Sequence, residues 1–433
     1  MPARRLPVRP DLDQLKHQAK DLLRAARRGD ASALADFATY HATRHPDRSD
    51  GARPAADVRL ADAHLVLARS YAARSWPRLV LACRMADAIW RADVDAVRDL
   101  VTRHPRLMRE DVLFREDGQR SNWGPPLSYA ATLGRDRIIA MLHALGATDL
   151  DAALARATLT SHIETARTLH ALLGAPRPPA DALGGPAYTL STSGTALLFE
   201  FGAQVRDASG ARTAPVDVVL ETDSRNPAAK HEILETYARH GVDLPDTPPM
   251  AVHRGRIDLL EAHLRRDPGL LQRTFRHEEI YPPELGCHDE VLATHGTPLA
   301  GATLLHMAVD YDELEIAQWL LDRGMDVDAR TTVDVDGFGG HTALFATVVS
   351  QPNFWMNHNS QAQVAPFTQL LLDHGADPNA RASLRKQLHP GYGPDTLHAY
   401  RDVTPLAWGE RFHRRVFVSE PAMRLIAERG GSA

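Results

Sequence analysis

The stretch from Ala302 to Arg330, ATLLHMAVDYDELEIAQWLLDRGMDVDAR, constrains this chain more than any other part of it, because it reads as one complete helix-turn-helix unit. Thr303 can cap a first helix whose inward face carries Leu305 and Ala308. Leu314, Ile316, Leu320 and Leu321 then recur at helical spacing through a second helix. Gly324 ends that helix, since Gly takes the left-handed conformation without the steric cost of a Cβ, and Asp326 and Asp328 suit the polar turn beyond it. A unit of this kind cannot bury its apolar face alone, so it demands neighbours of the same design.

Those neighbours are present. HTALFATVV and FTQLLLDHGADPNAR lie between His341 and Arg381, and VTPLAWGERF and MRLIAERGG between Val403 and Gly431. These segments resemble the ankyrin repeat, whose signature opens its first helix with Thr-Pro-Leu-His-x-Ala and closes its second with Leu-Leu-x-x-Gly-Ala-Asp. Thr303, Leu305, His306 and Ala308 fill the opening, with Leu304 in place of Pro, and Thr404, Pro405 and Leu406 fill it again. Leu371, Leu372, Gly375, Ala376, Asp377 and Asn379 fit the closing half. A further copy begins at Pro126, Leu127, Ala130 and Ala131 and ends at Leu145, Gly146 and Ala147. Degenerate copies are readable at 86–101, 162–175, 187–205, 233–242 and from Gly255.

The resemblance implies an all-α ankyrin-repeat solenoid with short β-hairpin fingers, stacked as one continuous superhelix. Residues 1–82 then form an N-terminal helical cap region, 83–272 degenerate repeats, and 273–433 repeats with long finger insertions and a C-terminal cap built on SEPAMRLIAERGG. Within 1–82, Leu12, Leu15, Ala19, Leu22 and Leu23 form an apolar stripe ended by Gly29 and Asp30, and HATRHPDRSDGARPAAD reads as a loop. Ser75 can cap a later helix that tolerates Pro77 in its first turn. The pairing of LDQLKHQAKDLL with ARSYAARSWPRL is similar to the leader of a group of bacterial ankyrin-repeat proteins. The stretch from Leu183 to Asp246 carries prolines and weak periodicity, so a broken or bent stack is one reading there.

A formal net charge of −5 argues against nucleic acid as the partner, because neutralising phosphates needs a basic face. The basic run KHQAKDLLRAARRGD reads as a solvated helix face. Two cysteines, Cys83 and Cys287, build neither a disulfide framework nor a thiolate metal cage, and no apolar run reaches membrane-spanning length. A cytoplasmic location, no cofactor, no metal and no membrane partner are the expectations.

Spacing between the helix-ending glycines exposes insertions. From Gly324 to Gly375 the step is 51 residues and from Gly375 to Gly430 it is 55, against about 33 for an ankyrin repeat. In an ankyrin fold the excess before a first helix lies in the finger, the turn that projects beside the concave face. The insertions at 273–303, 330–342 and 380–403 have that position, while 350–364 separates the two helices of its repeat. They are rich in aromatics, histidines and carboxylates, a composition suited to a binding site held on a rigid scaffold. The plainer reading is that the loops fold on one another.

Candidate catalytic residues are therefore Glu278, Glu279, His288, Asp289, Asp334, Asp336 and His341. Candidate ligand-binding residues are Trp123, Tyr281, His295, Phe338, Trp355, His358, Tyr392 and Trp408, although Trp408 and Trp319 also fit packing positions. Complete motifs are lacking. His277-Glu278-Glu279 has no second His at helical spacing, Cys287-His288-Asp289 with His295 fixes no ligand geometry, and Asp334-x-Asp336-Gly337 lacks the later ligands of a calcium loop. His306 is explained by its repeat position, where the resemblance implies an imidazole that ties one repeat to the next. The expected function is a non-enzymatic protein that presents a concave surface to a protein partner. The alternative is a hydrolase, acting on a carbohydrate or another small molecule, or a small-molecule binder with its site among the C-terminal fingers.

Overall fold

The computed structural model describes residues 4, 6–41, 58–114, 123–222, 225–288, 291–292, 296–349, 364–387 and 396–433. The chain divides into two compact units, Met1–Pro176 and Arg177–Ala433, both predominantly helical. No described helix is long and apolar enough to cross a membrane.

In the first unit, α1 (Leu12–Arg27), α2 (Ala31–Tyr40) and α3 (Leu60–Ser70) precede three helix pairs. The carboxylate of Asp11 caps α1 by accepting from the amides of Asp13 and Gln14, and Leu15, Ala19, Leu22 and Ala26 turn inward at helical spacing. The pairs are α4 (Trp76–Trp90) with α5 (Val94–Arg103), α6 (Pro126–Thr132) with α7 (Asp136–Ala144), and α8 (Leu150–Leu159) with α9 (Ile163–Leu172). Ser75 caps α4 and Pro77 sits in its first turn, as the sequence predicts. First helices pack on first helices along α4, α6 and α8, while α5 packs on α7. Leu15, Leu22, Leu67 and Tyr71 join Leu79 and Cys83 of α4 in one apolar cluster, so the leader helices cover apolar surface at the start of this stack.

The second unit comprises α10 (Gly184–Thr189), α11 (Thr192–Glu200), α12 (Val216–Glu221), α13 (Pro227–Arg239), α14 (Pro248–His253), α15 (Ile257–Arg266) and the single turn α16 (His277–Ile280). It continues with α17 (Leu304–Asp310), α18 (Leu314–Asp322), α19 (Ala343–Val348), α20 (Pro366–Asp373), the strands β1 (Ala382–Lys386) and β2 (His398–Val403), α21 (Pro405–Arg411) and α22 (Glu420–Glu428). The region from Leu183 to Asp246 thus holds two helix pairs. Helices of six residues, such as α10 and α12, make fewer than about two turns and leave almost no period to read. First helices again stack on one another, α14 on α17, α17 on α19 and α19 on α21, as do the second helices α18, α20 and α22.

One backbone device recurs at the turn between paired helices. Ala92, Gly134, Ser161, Leu190, Gly255 and Asp312 all take positive φ, between 53° and 65°. Only two are Gly, so the turn is imposed by the packing of the flanking helices at a local cost of roughly 1 kcal/mol for each side chain held there. Strands β1 and β2 pair antiparallel, with Leu384 opposite Tyr400, and form the hairpin finger before α21.

Candidate functional site

The unit around α17 is tied to its neighbour through two histidines. The amide and hydroxyl of Thr303 lie 3.4 Å and 2.9 Å from His306 Nδ1, and His306 Nε2 donates to the His341 carbonyl at 3.0 Å. Nε2 therefore carries the proton and Nδ1 accepts. Burial holds the imidazole neutral, with its pKa pushed down to about 4. His341 is buried as well, with Nδ1 3.1 Å from the Thr331 hydroxyl and its pKa pushed down to about 3 by burial and by His306. It occupies the core of the finger's base, beneath the surface.

Two adjacent fingers grip each other above that base. Asp334 accepts from the amides of Asp336 and Phe338, both at 2.9 Å, which closes a tight loop. Arg385 on β1 bonds Asp334 and also bonds Asp336 at 3.0 Å. The Phe338 ring has the guanidinium carbons of Arg385 and Arg401 4.6 Å and 4.1 Å from its centroid. The Phe338 amide, the Asp336 amide and Arg385 together hold the Asp334 carboxyl below its ordinary range. These three expected site residues are thus brought together, but as the clasp between fingers. The clasp leaves Val333 and Val335 projecting outward, 56% and 104% exposed.

The remaining candidates lie elsewhere. Glu279 accepts from the Arg276 amide at 2.9 Å and from Arg273 at 2.7 Å, closing the turn of α16. With Glu278 it lines an open groove of about 580 Å³ beside Arg266, Arg273 and Arg276. Tyr281 is buried and bonds the Tyr311 hydroxyl. The His288 amide donates to Glu221 at 2.6 Å, and the side chains of His288, Glu221 and Asp217 offer ligand-type atoms within 4.8 Å of one another. That is one donor short of the usual tetrahedral set. Trp408 is fully buried, edge-on to Tyr400 and Phe412. Trp123 belongs to the first unit, against Tyr129 and under Arg156. Asp289, His295, Trp355, His358 and Tyr392 lie outside the described residues.

Sequence reasoning missed a buried ionic network. Arg225 donates to the carbonyl and carboxylate of Asp310 at 2.6 Å and 3.1 Å and to the Thr222 carbonyl at 3.0 Å. Lys230 stands 3.3 Å from Glu313, which also bonds His231 at 2.8 Å. Tyr311 lies against both cations, its ring centroid 4.9 Å from Arg225 and 4.1 Å from Lys230. All four charged side chains of the two pairs are at most 8% exposed. Burial pushes the Asp310 carboxyl up and draws the Lys230 ammonium down to about 8. The acids of VDYDE match no motif, and nothing local in the sequence marks them as buried.

The ankyrin-repeat family model matches residues 300–332. That match supports an ankyrin-repeat protein. The ankyrin-repeat domain of human ASB11, a crystal structure, is similar at 17% identity, covering 71% of this chain and 99% of that one with a TM-score of 0.26. No curated protein matches the sequence. Ankyrin repeats are generally modules for protein–protein interaction.

Proposed function

We propose that this chain is a non-enzymatic binding protein whose stacked repeats present their finger edge and concave face to a protein partner. The observation that carries the reading is the finger clasp. Asp334, Asp336 and Phe338 are engaged by Arg385 and Arg401, so the polar groups of the loop hold its shape while Val333 and Val335 stand in solvent. Exposed apolar groups on a rigid projection favour contact with another protein. The hydrolase alternative needs two carboxylates converging across a substrate, and three of the four described candidate carboxylates, Glu279, Asp334 and Asp336, already hold a loop or helix end.

The test is affinity capture with the full chain and its Val335→Asp variant, followed by binding measurements on any protein captured. A partner whose affinity falls about tenfold with Val335→Asp supports the reading, since a charge at an interface core costs about 1.4 kcal/mol or more. Capture unaffected by Val333→Asp and Val335→Asp together would sink it.

A further inference from the structure

The first unit carries a second surface, independent of the fingers, and the chain's own leader is seated on it. Residues Leu6–Pro10 have the sequence LPVRP, two prolines bracketing a valine and an arginine. Pro10 is buried, Leu6 is half-buried against the leader's apolar cluster, and Pro7 and Arg9 remain exposed. The surface beneath is aromatic and acidic. Trp90 Nε1 donates to the Tyr129 hydroxyl at 2.8 Å, and the Tyr129 hydroxyl donates to the Val8 carbonyl. Arg9 bonds Asp87 at 2.8 Å and lies with its guanidinium carbon 5.7 Å from the centre of the Trp90 ring.

This arrangement has a direction built into it. The indole N–H occupies the acceptor side of the Tyr129 oxygen, so the phenolic proton points outward, ready for a carbonyl. Tyr129 is itself fully buried, which fixes the ring, and Trp123 packs against it with centroids 5.2 Å apart. A proline-bracketed strand suits such a donor. It offers carbonyls, has few N–H groups to satisfy, and loses little entropy because each proline ring already fixes φ. Aromatic grooves recognise proline-rich segments on the same physical grounds. The acid at Asp87 adds selection for a basic residue beside the second proline.

We propose that Asp87, Trp90 and Tyr129 form a docking groove for a proline-bracketed, arginine-bearing strand of a protein partner, held shut in the free chain by its own Leu6–Pro10. The seated segment shows the chemistry of the occupant. The ionic part of its hold is light, because the Arg9–Asp87 pair is 50% and 39% exposed and such pairs contribute little. The strap is anchored at its start by the Arg4 amide on the Ser70 carbonyl at 2.8 Å and by Arg4 with Asp36 at 2.7 Å, and at its end by the Asp11 cap of α1. Those anchors lie outside the groove and survive its opening.

The probe is a fluorescein-labelled peptide copying residues 4–11, titrated by anisotropy against the full chain at low salt. Wild type binds it weakly because the leader competes. Arg9→Glu turns the ion pair into a repulsion and frees the groove, so that variant binds the probe roughly tenfold more tightly. Adding Asp87→Arg to Arg9→Glu abolishes the gain, because the reversed ion pair reseats the leader and the probe's arginine now meets a positive charge. Arg9 is exposed and Asp87 is half-buried at the surface, where it also pairs with Arg91 at 3.0 Å, so circular dichroism of all variants stays that of wild type. No gain with Arg9→Glu, or a gain that persists with Asp87→Arg, overturns the proposal. Either result leaves the finger surface of the second unit untouched.

Discussion

Lys230 offers the sharpest test of the buried network. Its ammonium is 3% exposed, faces Glu313, and lies over the Tyr311 ring with Arg225 nearby. Burial draws its pKa down from 10.5 to about 8, the attraction of Glu313 only partly offsetting the loss of solvation. Between those two values the unfolded chain holds a proton on this lysine that the folded chain has released. Stability of the second unit therefore rises with pH across that window and is flat in this term below it. At about 1.4 kcal/mol per unit, the rise is on the order of 3 kcal/mol. The experiment is urea unfolding at several pH values from 7.5 to 10.5, followed by Trp319 and Trp408 fluorescence in a background without other tryptophans. Both reporters lie in the second unit. Solvated lysines titrate alike in both states, so the informative quantity is the stability of wild type minus that of Lys230→Met. That difference climbs by roughly 3 kcal/mol toward pH 10.5. A difference that stays level within about 0.5 kcal/mol refutes the argument that Lys230 titrates in a desolvated site.

Three further outcomes are expected. His306 and His341 have folded pKa values near 4 and 3, below the ordinary 6.5, so the unfolded chain binds the extra protons and the second unit loses stability as pH falls through 6.5 toward 4; a denaturant midpoint unchanged between pH 7 and 4.5 contradicts this. Arg385→Ala opens the finger clasp at a cost of about 1 kcal/mol, mostly local, and should appear in hydrogen exchange as lost protection at residues 331–341 with the rest of the unit unchanged. Trp408→Ala removes a fully buried indole and should lower stability by about 3 to 5 kcal/mol, whereas a ligand-contacting tryptophan would lose binding and keep its melting temperature.

What was legible in the sequence depended on how many residues shared one signal. Thr303, His306 and Gly324 sit at fixed offsets within a repeated pattern, and the contact between His306 and the next unit falls where the resemblance implied it. Ser75 and Pro77 were likewise readable, because a cap acts on amides within a few residues of itself. The middle of the chain was opaque because six-residue helices erase periodicity, and because the recurring left-handed turn falls on Leu190 as readily as on Gly255. The ionic network was opaque for a different reason. Arg225 and Asp310 are 85 residues apart, and nothing local distinguishes a carboxylate that meets a guanidinium from one that meets water.

Charge and aromatic content in an insertion does not separate a reactive site from a scaffold, since both need arginines, carboxylates and rings in close quarters. The separation comes from asking which groups are already occupied. Asp334 serves two amides and Arg385, Asp336 also serves Arg385, and Phe338 carries two guanidinium groups against its ring. Val333 and Val335 at the same loop are held in place by those contacts and are exposed. On the proposed reading, a loop that uses its polar groups to fix its own shape and turns its apolar groups outward meets another surface with those apolar groups. Polar side chains here set the geometry, and the valines are the residues whose replacement should change binding while leaving the fold intact.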